Sequence, residues 1–284
     1  MEKIKRKKKK IKISLLFIYM LLASWAVTTI FPFVWVISNS FKVSRDVINN
    51  SFTLPANPTM MNFENAFSRM NILGAYKNSF IISGSVTIGV MVLASMMAFA
   101  MTRYKFRGKV VIDGLIAGSL MFPAFATIVP VMGMMTKLGL ISKGSLIAAI
   151  LPQIAGNLSF ATIIMMGFLR GLPLEMEEAA YMEGANVWKV FVKIIIPLSK
   201  PSLATVAIFS FLWSYNDLFT QMSLIRQRLK YPISALLREI SSIYGTDYGL
   251  MAASVTLIIV PVIIVYMFLQ KNIIKGLTAG AVKG

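Results

Sequence analysis

Six stretches of about 20 mostly apolar residues, separated by charged or Pro-rich segments, leave this 284-residue chain few folds to choose from. A helix of that length covers the hydrocarbon core of a bilayer and satisfies its backbone N–H and C=O groups internally. The stretches run 13–38, 79–101, 110–135, 145–168, 203–221 and 250–269. The expected fold is an all-α polytopic membrane protein with six transmembrane helices. Composition agrees, with 57% hydrophobic and 14% charged residues where a soluble domain carries about 25%. The first stretch follows a basic flank, as a signal peptide does. Its apolar run is longer than an h-region and no small-x-small cleavage pattern follows, so it reads as an uncleaved span.

The net charge of +18 would fit a nucleic-acid binder. Here, however, the cations sit beside apolar segments, where orientation and anionic lipid explain them, and no nucleic-acid partner is expected. The segment 1–12, "MEKIKRKKKKIK", holds eight of the 29 Lys and Arg. With the N-terminus cytoplasmic, the inner segments hold 19 cations and the outer loops 10. Both termini are therefore expected inside, an inference carried mainly by the first segment and by the tight turn "RYKFRGK". The outer loop 39–78 contains Pro55 and Pro58 and reads as extended in that part. The outer loop 222–249 is long enough for a short surface helix. No repeat period is present.

The segment between the fourth and fifth stretches, 170–200, is too charged for lipid and too patterned for a linker. It reads "RGLPLEMEEAAYMEGANVWKVFVKIIIPLSK". Pro173 suits a first helical turn, and Glu175, Glu177 and Glu178 follow where the helix dipole favours negative charge. Ala179 and Ala180 leave a low-relief surface for close packing. Gly184 is a natural break, Val187, Val190, Phe191 and Ile194 recur at helical spacing, and Pro197 stops the second helix. The expectation is helix, break, helix on the cytoplasmic surface, with one face on its own bundle and one offered outward.

This segment resembles the signature of inner-membrane subunits of binding-protein-dependent ABC importers. Glu178, Ala179, Ala180, Gly184, Ile194, Ile196 and Pro197 carry the pattern, with Ile196 where that family usually has Leu. "SYNDLFTQMSLI" at the outer end of the fifth stretch and "GLTAGAVKG" at 276–284 are similar to the carbohydrate branch, the maltose-type second permease. The resemblance implies the type I importer permease fold, with a transmembrane domain over 75–270 and a cytoplasmic tail from 271 to 284. It implies that the signature helix docks into a cleft on a cytoplasmic ATPase, and that the tail reaches the ATPase pair. The implied partners are a second permease subunit, two copies of an ATP-binding subunit and an extracellular sugar-binding protein. The implied location is the bacterial cell membrane, and the implied cargo a sugar or oligosaccharide.

The chain lacks chemistry of its own for ATP hydrolysis. It has no GxxxxGK[ST] stretch, so ATP is expected on a partner and no cofactor on this chain. It has no Cys and no His, which removes thiol, imidazole and the usual zinc chemistry. Asn216 and Asp217 read in two ways, as a helix end near an interfacial belt with Trp213 and Tyr215, or as part of a solute path. Asp113 reads as a local ion pair near "RYKFRGK". Pro123, Pro130, Pro152 and Pro261 are expected to kink helices around a pathway. The competing reading is a stand-alone secondary transporter driven by an ion gradient. That class favours repeated halves and mid-membrane acids, which this chain lacks.

Overall fold

The computed structural model describes residues 13–236 and 247–281. The segment 1–12, residues 237–246 of the expected outer surface helix, and the last three residues of the tail lie outside the described residues. Among the described residues the chain is helical without strands. The helices are α1 (Ile13–Ser40), α2 (Ser44–Asn49), α3 (Met61–Arg69), α4 (Ile72–Arg103), α5 (Lys109–Ser119), α6 (Ala124–Lys137) and α7 (Ile147–Arg170). There follow α8 (Glu175–Met182), α9 (Val187–Leu198), α10 (Lys200–Asn216), α11 (Leu218–Leu224) and α12 (Tyr248–Ala281). Three helices, α1, α4 and α7, are individually long and apolar enough to cross a membrane, and α9 with α10 makes a fourth if that bent pair is one span.

Helix α4 is the centre of the bundle, packed between α7 and α10. Its buried residues Ile82, Val86, Val90, Ala94 and Ala98 fall at every fourth position, one continuous stripe on a single helix face. Opposite them lie Ala161, Met165 and Leu169 of α7 and Val206 of α10. Alanines on both sides let the backbones approach closely, which is how apolar helices associate where lipid is as greasy as their side chains. A second cluster closes the opposite end of the bundle, with Ala66, Met70, Ile72, Ala75, Tyr215, Ile233 and Leu250. The end bearing α8 is the lower end, and that bearing α2 and α3 the upper end.

Two of the expected spans are broken. The stretch 110–135 is two helices, α5 and α6, separated at 120–123. Pro123 has no N–H and pushes the residue before it out of the helical region. The chain instead tightens, and Leu120, Met121 and Phe122 donate to the carbonyls three residues back. The stretch 203–221 stops at Asn216 and restarts as α11, where the Asp217 side chain caps the new helix. The sixth stretch, expected over 250–269, is part of a longer helix that continues to Ala281.

The upper-end segment 41–62 is not a slack loop. Lys42 is only 2% exposed, and its Nζ donates to the carbonyls of Asn50 and Thr53. Asn62 Nδ2 donates to the carbonyls of Ser40 and Lys42, at 2.8 and 2.7 Å. Gly249, at the start of α12, lies so close that a Cβ there would meet the Lys42 carbonyl at 2.7 Å. The Phe52 ring stacks on Phe31 of α1 at 6.4 Å. The Lys42 ammonium holds the segment after α2, the Asn62 amide ties α3 to the end of α1, and the start of α12 packs against the Lys42 carbonyl.

Candidate functional site

The signature segment forms a knuckle at the lower end, joined to α7 by the turn 171–174. Helix α8 begins at Glu175, two residues after Pro173, with Glu175, Glu177 and Glu178 in its first turn. Its end is set by Gly184, whose φ of +79° lies in the left-handed region. The Gly184 N–H donates to the Tyr181 carbonyl and the Ala185 N–H to the Ala180 carbonyl, at 3.0 and 2.9 Å. That pair of bonds is a Schellman stop, which satisfies the last carbonyls of α8. Asn186 then caps the next helix, its Oδ1 accepting from the Lys189 N–H at 2.8 Å.

Helix α9 is irregular for a reason visible in the sequence. Pro197 cannot donate and its ring crowds the carbonyl four residues back. The turn before it, Phe191–Ile195, widens to a π-helix. Beyond Leu198 the axis turns by 76° into α10, whose second residue is Pro201. Pro197 therefore makes an elbow with its neighbours and does not simply end the helix.

The signature residues divide between two faces. Glu178, Ala179 and Gly184 are exposed, while Ala180, Ile194 and Ile196 are half-buried against the core and Pro197 is exposed. Around the outward group stand Met182, 89% exposed, and Trp188, 61% exposed. No Cβ at Gly184 would meet anything within 4 Å, so the surface beside it is open. Val190 and Phe191 are buried, whereas Val187, expected on the same face, is exposed.

Glu177 points the other way. Its Oε1 accepts from Arg103 Nε at 2.7 Å, and both side chains are less than a tenth exposed. Sequence reading groups the three glutamates in the first turn of one helix, and the structure separates Glu177 from the others. Asp113, expected in a local ion pair near "RYKFRGK", forms none among the described residues. The 74-residue separation hides the Arg103–Glu177 pair from any spacing rule. The only hint is an arginine at the last position of an apolar span. Next to this pair, partial burial and a hydrogen bond with Tyr104 hold the Tyr181 phenol above its usual pKa. Phe99 of α4 packs against Phe191 at 5.3 Å, and Trp188 against Phe191 at 5.7 Å.

The second candidate group lies at the upper end. Asp217 Oδ1 accepts from the Thr220 N–H at 2.9 Å, which starts α11 and breaks the expected fifth span. Its Oδ2 accepts from Gln153 Nε2 at 3.1 Å. Ser214 Oγ donates to Gln153 Oε1, Gln221 Nε2 donates to the Ser214 carbonyl, and Ser234 Oγ donates to Gln221 Oε1. Asn157 Nδ2 donates to the Gln153 carbonyl, while its buried Oδ1 has no protein partner. Asn216 is exposed, its Nδ2 donating to the Leu212 carbonyl at 2.8 Å. The sequence reading missed Gln153, Ser214 and Gln221, which look like ordinary polar residues in apolar stretches.

Residues 90–279, which include the knuckle and the polar group, match the family described as the binding-protein-dependent transport system inner membrane component. The chain belongs to this family. The permease is 32% identical over 262 residues to the diacetylchitobiose uptake system permease protein NgcG of Streptomyces coelicolor, covering 92% of this chain and 86% of that one. It is 31% identical to the galactooligosaccharides transport system permease protein GanQ of Bacillus subtilis, over 96% of each chain. Among solved structures, a bacterial ABC transporter involved in the import of the acidic polysaccharide alginate superposes with a TM-score of 0.79 at 24% identity, over 93% of this permease and 99% of that chain. At that identity the likeness speaks for the fold.

Proposed function

We propose that this permease is half of the translocation pathway of an ATP-driven, binding-protein-dependent importer of carbohydrate. In this reading it crosses the membrane six times, with α5 and α6 together as the third span, and both termini and the lower end face the cytoplasm. Its partners are a second permease subunit, two copies of an ATP-binding subunit that carry out hydrolysis, and an extracellular sugar-binding protein. The knuckle is the coupling element. Glu178, Ala179 and Gly184 face the ATPase, Ala180, Ile194 and Ile196 seat the knuckle on the bundle, and Pro197 sets its elbow. The observation that carries this reading is the outward face of α8, ended by a glycine stop and bearing an exposed methionine beside open space. Oligosaccharide cargo is supported by the relatives named for diacetylchitobiose and galactooligosaccharides. Asn216 and Asp217 are the candidates on this chain for lining the path.

The test is uptake by membrane vesicles carrying the assembled complex, with radiolabelled chito-, galacto- and arabino-oligosaccharides as probes. Accumulation of at least one probe should require ATP and the binding protein and should survive an ionophore. Uptake that ignores ATP and collapses with the ion gradient would overturn the proposal in favour of a secondary transporter.

A further inference from the structure

We infer that Arg103 and Glu177 are positioning residues for coupling, because their buried ion pair fastens the knuckle to the lower end of α4. Displacement of α8 then moves the central helix of the bundle as well as the helices to which α8 is covalently joined. The inference rests on the reading of α8 as the ATPase contact.

The covalent connections are poor transmitters on one side. Toward α10 the chain passes through a π-helical turn, Pro197 and a 76° elbow. Such irregular turns are where helices flex. Helix α4, by contrast, is 32 residues of continuous helix with no proline, about 48 Å long. A rod of that kind moves as one piece if it is gripped at its end. Arg103 is its last residue, and Glu177 grips it at 2.7 Å.

The grip has two parts. The ion pair fixes α8, and the tilted ring contacts Phe99–Phe191 and Phe191–Trp188 fix α9 to the preceding turn of α4. Tyr104, the residue after Arg103, also packs on Phe99 at 5.9 Å. Burying two charges is a weak route to stability, since apolar residues of the same volume would serve as well or better. What an ion pair adds is a fixed register, because neither charge tolerates sliding away from the other. Register is what a force-bearing contact needs.

The far end of the rod is also tied. Asn78 Nδ2 donates to the carbonyls of Leu229 and Tyr231 at 3.1 and 3.3 Å, and Ser79 Oγ accepts from the Ile233 N–H at 2.8 Å. Movement of α4 therefore reaches the segment that follows α11 at the upper end. One helix joins the two ends of the molecule through side-chain contacts alone.

The experiment uses the full complex in lipid nanodiscs with its own ATPase and binding protein. It reads co-purification of the ATPase and the stimulation of ATP hydrolysis by the binding protein. Glu177→Gln and Arg103→Gln should retain the ATPase and its basal rate while losing about tenfold in stimulation, a typical size for inter-site coupling. The double variant Arg103→Glu/Glu177→Arg should recover at least half of the stimulation. Single variants that respond like the wild type would overturn the inference. So would a swapped pair that fails to assemble or assembles without response. If the single variants do not assemble, an assembled and responsive swapped pair still supports the inference. Failure of the wild-type permease to retain any ATPase would instead overturn the coupling role proposed for α8.

Discussion

Gly184 owes its place to backbone geometry. A side chain in the left-handed region costs about 1 kcal/mol, and asparagine tolerates that region better than other non-glycine residues. Gly184→Ala should therefore lower the thermal stability of the detergent-solubilised permease by about 1 kcal/mol, and Gly184→Asn by less. If the open space beside Gly184 receives the ATPase, Gly184→Asn should still impair stimulated hydrolysis in the assembled complex, since its side chain enters the contact. Equal stability and equal hydrolysis for Asn and Gly would remove Gly184 from the interface. The sequence made this glycine legible, because a glycine between two helical patterns is a stop signal. It could not separate Glu177 from Glu178. Adjacent residues on a helix point about 100° apart, and which of them faces the bundle depends on a partner 74 positions away.

Among elements, the helices were legible where apolar length alone decides them, as in α1, α4 and α7. They were misread where a single polar or cyclic side chain interrupts an apolar run. Pro123 divides the third stretch, and Asp217 divides the fifth by offering its carboxylate to the next helix. Asp217→Ala should remove the cap and leave the Gln153 amide unpaired, a loss of about 2–3 kcal/mol in unfolding experiments. Asp217→Asn keeps a capping oxygen and loses only the bond from Gln153, so about half that loss is expected. If Asp217 also lines the path, Asp217→Asn should lose uptake out of proportion to its small loss of stability. Uptake that tracks stability in both variants would restrict Asp217 to helix capping. The network around it was invisible in sequence because glutamine and serine carry no spacing signature.

At the scale of the whole molecule, charge bias predicts which end faces the cytoplasm, and the absence of cysteine makes this directly testable. Single variants Met182→Cys and Leu54→Cys place thiols on exposed residues of the lower and upper ends. In intact cells a membrane-impermeant maleimide should label Leu54→Cys and leave Met182→Cys unlabelled until the cells are opened. The reverse pattern would invert the orientation. The apolar character and the reach of α1, α4 and α7 could be read from composition because lipid dictates both. The internal bracing could not, as it joins residues far apart in sequence. The caged ammonium of Lys42 has a last consequence. A visiting protein that lands on the far side of the bundle finds a ready-made shape and need not freeze a wandering segment. Each residue already in place spares it roughly 1–2 kcal/mol of ordering entropy, so such visits can be brief, repeated and still selective.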